Sequence, residues 1–369
     1  MKRREFVKYG LILAGVGGIC GFCLKQNGSK YSFEKVPADK VLDNPGPCRA
    51  PFENIEIHPE GDIYPCCPGY LYNPPTAFGN IIKSDFKDIW NGPELNDIRQ
   101  KVLNNDYSLC DRKICDYVSS SYTKDFDATK QGPKQIFLCY DQECNYKCIT
   151  CRDAIITNTD EELKTFDKVI IPKILPLLKD TKEIMFSGGD PLSSRHSRKL
   201  IKAVCAKNSK AKLSIFTNGY FFDEQNMKEL GVKKLKNLSI SVNATTKETY
   251  KEIMQIDAFD KIMENLKFAS KLKKQGKIED IELNFVVHSM NYKEMIDFVK
   301  IAEKLDAMAI FWEYRPWAWT EMHKRYKEVA VFEPYHKDYQ KLKKILHNPV
   351  FKSEHCFLYP LLQKIADSP

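Results

Sequence analysis

Cys144, Cys148 and Cys151 lie in the run FLCYDQECNYKCITCR with CxxxCxxC spacing. Thiolates are soft ligands that suit zinc or an iron–sulfur cluster. A structural zinc site takes four ligands, so it would need a further Cys or His from elsewhere in the chain. Cys139 lies within an apolar run and is awkwardly placed to supply it. A cubane [4Fe–4S] cluster on three thiolates leaves one iron open to an outside ligand. Spacing alone leaves both readings open. The chain holds thirteen cysteines, and a second group precedes the first: Cys48, Cys66, Cys67, Cys110 and Cys115. Such clustering in a chain of 369 residues favours metal sites over a disulfide scaffold, which belongs to much shorter secreted chains.

These residues need elements to hold them. From Gln135 onward, short apolar runs (QIFLCY, EIMFSG, KLSIFTNG, LSISVNA, IELNFVVH, AMAIFWEY) alternate with helical patterns near 160–180, 194–207, 223–230, 247–275 and 292–305. Strands separated by connections of that length read as a parallel β/α architecture. Ligands of such sheets sit at the carboxyl ends of the strands. The CxxxCxxC run follows the first strand, Ser187-Gly188-Gly189-Asp190-Pro191 ends the second, Thr217-Asn218-Gly219 the third and Ser241-Val242-Asn243 the fourth. Paired glycines let the backbone come close to a ligand and expose its amides and carbonyls, or simply make a tight turn, and small polar groups at several strand ends describe a binding face.

Together these motifs resemble the radical S-adenosylmethionine superfamily over about residues 133–315. The resemblance implies an α/β fold, a partial (β/α)6 barrel preceded by a small irregular cysteine-rich domain. It also implies that Cys144, Cys148 and Cys151 ligate a [4Fe–4S] cluster whose fourth iron binds S-adenosylmethionine. Gly188, Gly189 and Asp190 would face its methionine amino group. Ser241 and Asn243 would contact ribose or carboxylate, with Asn218 and Val287 near the methionine end and the adenine. Many relatives carry an aromatic residue before the third cysteine, where this chain has Thr150.

Upstream, Gly61-Asp62 reads as a hairpin turn between IEIH and IYPCC, which brings Cys48 and Cys66 into one neighbourhood. Asp85–Leu103 reads as one amphipathic helix. Five cysteines here could make a zinc site. The segment also resembles a reduced SPASM domain, which implies an auxiliary [4Fe–4S] cluster on Cys48, Cys66, Cys110 and Cys115, with Cys67 as a substitute. Residues 1–30 carry Arg3-Arg4 before an apolar stretch and resemble a twin-arginine leader or a membrane anchor. They supply +5 of the formal charge of +8, so charge does not nominate a nucleic-acid partner. The expected organisation is therefore leader 1–30, auxiliary domain 31–128, barrel 129–315 and a tail 316–369 with one helix near 336–347.

The function implied is reductive cleavage of S-adenosylmethionine and hydrogen abstraction from a peptide or protein, with a low-potential reductase, flavodoxin or ferredoxin as electron donor. The alternatives are oxidation of a small molecule such as a sugar, and a non-catalytic iron–sulfur electron carrier. The leader implies membrane association or export, with work on the cytoplasmic side also open. Cys205, Cys356 and Cys139 read as packing residues, and the aromatic run Phe311–Trp319 as a pocket wall or a closing plug.

Overall fold

The computed structural model describes residues 47–71, 77–110, 115, 132–207, 210–315 and 320–368. The leader, the end of the expected auxiliary domain with the first residues of the barrel segment (116–131), and residues 316–319 of the aromatic run lie outside them. Among the described residues, the strands are β1 (Asn54–Ile57), β2 (Asp62–Tyr64), β3 (Gly79–Asn80), β4 (Gln135–Leu138), β5 (Glu183–Phe186), β6 (Lys212–Thr217), β7 (Leu235–Ser241), β8 (Ile278–Val287), β9 (Met308–Glu313) and β10 (Cys356–Leu358). They form one sheet in the order β10-β9-β8-β7-β6-β5-β4-β1-β2-β3.

Each apolar run named above is a strand, β4 to β9, and neighbouring strands pair in parallel. Helices return the chain between them, which makes the partial (β/α)6 barrel. Strand alternation explains the two faces. Leu238 and Ile240 of β7, with Leu283, Phe285 and Val287 of β8, face the helices in the main core. Asn237, Ser239 and Ser241, with Glu282, Asn284 and Val286, take the opposite, concave face. Slipping either strand by one residue would put amides and a carboxylate among the helices, so the register is tightly specified. Phe285, Phe298 and Phe311 pack with ring centroids 4.8–5.7 Å apart and close the outer layer under β8 and β9. Burying one such ring stabilises the fold by about 1.5–3 kcal/mol.

Three differences from the sequence reading have local causes. The expected helix over Asp85–Leu103 is two, Phe86–Trp90 and Pro93–Leu103. Pro93 lacks an N–H and restrains Gly92 before it, so it starts a helix and cannot continue one. The segment 247–275 is also two helices, Lys247–Met254 and Phe259–Lys274, parted where Gln255 takes a left-handed φ of 58°. The tail is not confined to its expected helix, found at Tyr339–Leu346. It adds β10 parallel to β9 and a last helix, Pro360–Asp367.

The cysteine-rich segment shares the barrel's sheet. β1 pairs in parallel with β4, and β2 folds back on β1 through Glu60 and Gly61, both at positive φ. Gly61 is required there, because a Cβ would stand 2.8 Å from Ile82 as well as forcing a strained backbone. Among the described residues no helix is long and apolar enough to cross a membrane.

Candidate functional site

The loop after β4 carries the CxxxCxxC run, and two buried carboxylates hold its entry. Asp141 accepts from Glu143 N (3.2 Å), Asn158 Nδ2 (2.8 Å), Ser197 Oγ (2.6 Å) and Ser194 Oγ. Glu143 accepts from Asn158 N (2.9 Å) and from Arg195, whose Nε and NH2 each stand 3.2 Å away. Ser194 also caps the helix Arg195–Ala206, so one hydroxyl ties that helix to the loop. The far side is fixed by Cys144 N donating to Ile156 O (3.0 Å) and Ile149 N donating to Ile253 O (3.0 Å), the latter satisfying a helix-end carbonyl.

Within this frame, Cys144, Cys148 and Cys151 form one electrostatic group. Burial pushes the Cys144 thiol up to about 11 and Cys148 well above its ordinary value, with Cys151 and Cys144 adding to the latter. Buried Arg152 donates its Nε to Cys151 Sγ (3.4 Å) and an NH1 proton to Gln142 O (2.9 Å). Burial works against its charge, and the three neighbouring thiols outweigh that and hold the guanidinium charged. Three thiols beside a fixed cation suit an anionic, thiolate-bound cluster. Among the described residues no three His, Cys, Asp or Glu side chains converge closely enough for a lone ion, and the cysteine groups are recognised instead by shared burial and mutual coupling.

Gly188 and Gly189 abut the cysteine loop itself. A Cβ on Gly188 (φ +101°) would stand 2.5 Å from Asp141 O, and one on Gly189 would stand 2.1 Å from Glu143 O. The expected closeness to a ligand is thus closeness to the chain that carries the thiols. Asp190 is buried, and its carboxylate accepts from Leu192 N (3.1 Å), Ser193 N (2.9 Å), Thr217 Oγ1 (2.7 Å) and Asn218 N (2.7 Å). Those donors fill its acceptor sites, so it organises the ends of β5 and β6 and does not face an open methionine site as expected. Asn218 donates to Asn145 Oδ1 (2.9 Å), inside the cysteine run.

At the ends of β7 and β8 the parity of the strands decides the outcome. Ser241 lies on the concave face, partly exposed. Asn243 takes a positive φ of 63° and accepts from Val286 N (2.8 Å), tying β7 to β8. Val287, the expected adenine neighbour, is fully buried among the helix-facing residues, and Val286, one residue earlier, occupies the concave face. Thr150 is buried.

The auxiliary cysteines also come together. Cys66 follows β2 and is pushed up first by burial, then by Cys115, Cys110, Glu56 and Cys48. These thiols share a small core with Phe52, Tyr70, Val102 and Tyr107. Cys48, Cys66, Cys110 and Cys115 are not in disulfides, whereas Cys67 is disulfide-bonded. Glu56, bonded to His58 Nε2 (3.0 Å), acts on both Cys66 and Cys139, so the auxiliary group adjoins the concave face. Cys139 lies on that face with Phe137 and Phe216. Cys356 opens β10, and Cys205 is half-buried.

Sequence reasoning missed Asp141, Glu143, Arg152, Glu282 and His288. Arg152 directly follows the third cysteine, and Glu282 is a carboxylate inside an apolar run, so both left a signal. His288, after β8, is fully buried with Nε2 unpartnered, and burial pulls it down to about 3.

A parallel barrel with a three-thiol loop after its first strand, and more thiols on the adjoining edge, defines an iron–sulfur protein class. Residues 142–302 match the radical SAM superfamily, and residues 48–116 match SPASM, an iron–sulfur cluster-binding domain. Residues 142–302 thus form a radical SAM domain, with a SPASM domain ahead of it in the chain. The first domain implies a [4Fe–4S] cluster with S-adenosylmethionine, and the second implies auxiliary iron–sulfur clusters. The donor chemistry of the two thiol groups fits both. A probable GTP 3',8-cyclase of Saccharolobus islandicus (strain L.S.2.15 / Lassen #1) is 25% identical over 162 residues, 44% of this chain and 50% of its own. GTP 3',8-cyclase of Synechocystis sp. is 28% identical over 175 residues, 46% of this chain and 51% of its own. The chain thus spans about half the length of the curated relatives it matches. Among solved structures, Streptococcus suis SuiB bound to precursor peptide SuiA has a TM-score of 0.41 at 16% identity, covering 62% of this chain and 49% of that one. Methylornithine synthase (PylB) has a TM-score of 0.37 at 15% identity, covering 61% and 63%.

Proposed function

We propose that this chain is a radical S-adenosylmethionine enzyme that abstracts hydrogen from a peptide or protein and uses one auxiliary [4Fe–4S] cluster. The observation that carries the reading is the grouping of Cys144, Cys148 and Cys151 beside buried Arg152 at the carboxyl end of β4. In this reading those thiolates hold three irons, and the fourth takes the amino and carboxylate groups of S-adenosylmethionine. When bound, the cluster and its cosubstrate supply an electron to the sulfonium C–S bond and a radical that takes hydrogen from substrate. Arg152 offsets the thiolate charge, while the Asp141 and Glu143 clamps keep the loop from moving. Gly188 and Gly189 bring backbone amides and carbonyls to the site, with Ser241 offering a hydroxyl and Asn218 and Asn243 fixing the strand ends. Cys48, Cys66, Cys110 and Cys115 are the proposed auxiliary ligands.

The concave face supports this choice of substrate class. β7 and β8 turn amides, hydroxyls and carboxyls onto it: Asn237, Ser239, Ser241, Asp280, Glu282 and Asn284. None of these six side chains is basic, so they offer a triphosphate no counter-charge, which favours a peptide over the nucleotide named in the cyclase relatives. A flavodoxin or ferredoxin is the proposed electron donor. Anaerobically reconstituted protein given dithionite and S-adenosylmethionine should release 5′-deoxyadenosine, and its absence refutes the enzyme reading. Iron and sulfide near about eight per chain support two clusters, whereas stoichiometric zinc refutes the auxiliary assignment.

A further inference from the structure

On the concave face, Glu282 and Asn237 are almost fully buried, and Asn237 Nδ2 donates to Glu282 Oε2 at 3.3 Å. Their other oxygens, Glu282 Oε1 and Asn237 Oδ1, have no hydrogen-bond partner within normal geometry, and the Ser239 hydroxyl, which favours the Glu282 carboxylate, does not offset its burial. Asp280 pairs in register with Asn237 and adds a half-buried carboxyl, pushed up to about 6 by burial. The nearest cation is spoken for, since Lys236 Nζ binds Glu183 Oε2 at 2.5 Å and Ser214 Oγ donates to the same carboxylate. Among the described residues, no basic side chain is ion-paired to Glu282 or Asp280. Leaving a buried acceptor dry and unpaired is unfavourable. Burial has pushed the Glu282 carboxyl up to about 8, a penalty that a cation placed beside it would offset.

We infer that this floor is a binding site for a basic group of the substrate, a primary ammonium or a guanidinium carried on an apolar stem. Glu282 lies one side-chain layer below Asn284, which pairs in register with Ser241 at the strand end; two residues along a strand is about 7 Å. Asn284 donates to Ser239 Oγ (2.6 Å) and accepts from Trp312 Nε1 (2.9 Å), so a ligand tip entering from the strand ends would reach the floor past that amide. The flanks are apolar, with Phe137 and Phe216 on one side and Ile310 and Trp312 on the other, which suits a methylene stem. An ammonium offers three donors to Glu282, Asn237 and Asp280, while a neutral alcohol offers one.

The inference rests on the proposed function for its word "substrate", but the site is tested without turnover. The probe is n-butylammonium, with butan-1-ol as its neutral counterpart, titrated into full-length protein and followed by saturation-transfer NMR. Wild type should bind the amine saturably and the alcohol at least about tenfold more weakly, the factor that 1.4 kcal/mol gives. Glu282→Gln should weaken amine binding by about tenfold or more, whereas Glu264→Gln, at an exposed helical position, should leave it unchanged. Should Glu282→Gln not fold by circular dichroism, Asp280→Asn takes its place with the same expected direction. Equal binding of amine and alcohol, or amine binding indifferent to the floor variant, overturns the inference. Assaying the same wild-type preparation for 5′-deoxyadenosine separates the two claims: no cleavage with selective amine binding refutes the enzyme reading alone.

Discussion

Replacing Gly188 by alanine would strike the contact between the GGDP loop and the cysteine loop. The new Cβ would sit 2.5 Å from Asp141 O and 2.8 Å from Cys139 O, both main-chain atoms that cannot swing aside. Overpacking of that kind costs about 1–3 kcal/mol. The φ of +101° adds about 1–3 kcal/mol for any residue with a side chain. Gly276→Ala is the matched control, since Gly276 also has a positive φ, +69°, but nothing lies within 4 Å of its Cβ position. It should cost only the conformational part, about 1–2 kcal/mol. Urea unfolding of the two variants should therefore place Gly188→Ala about 1–3 kcal/mol below Gly276→Ala. Iron bound after anaerobic reconstitution should fall in Gly188→Ala and not in Gly276→Ala, because only the former displaces the chain leading to Cys144. Equal stability and equal iron would refute the claim that these glycines serve the cysteine loop.

The Glu282 carboxyl is raised in the folded state from 4.5 to about 8, so stability should fall as pH rises from about 4.5 and level off above about 8. Glu282→Gln should match wild type near pH 4.5 and exceed it by a few kcal/mol, about 1.36 per pKa unit, at pH 8; a pH-independent difference in urea midpoint would refute this. Arg152→Met should keep the loop's packing while removing the donor to Cys151, lowering iron retention during chelator challenge; unchanged retention would show that the guanidinium is not needed. For the leader, cell fractionation of the Arg3→Lys, Arg4→Lys double variant should move the protein out of the membrane or exported fraction, and an unchanged distribution counts against a twin-arginine signal.

The strands were legible because their apolar runs are bounded by turn residues and separated by helical periods. The three-thiol loop was legible because its spacing is local. What the sequence hid was mostly non-local. Nothing in IEIH announces that β1 pairs with β4 some 80 residues later, joining the auxiliary segment to the barrel sheet. β10 has too few residues for alternation to show. The surroundings of Asp190 and Val287 were hidden for different reasons. The four donors that fill Asp190 come from two strand ends, while the side Val287 takes is set by parity alone, since a shift of one residue exchanges the faces. The polar floor could have been seen: IELNFVV places Glu282 and Asn284 at alternate positions in a strand otherwise fit for burial on both faces.

The central claim is that Cys144, Cys148 and Cys151 hold a cluster with one iron open to S-adenosylmethionine. Electron paramagnetic resonance of the dithionite-reduced, reconstituted protein tests it most directly. The account predicts that S-adenosylmethionine shifts one cluster signal, and that replacing the three cysteines by alanine removes that signal while leaving a second that does not respond. A spectrum indifferent to S-adenosylmethionine, or a responsive signal that survives loss of the three thiols, would contradict it.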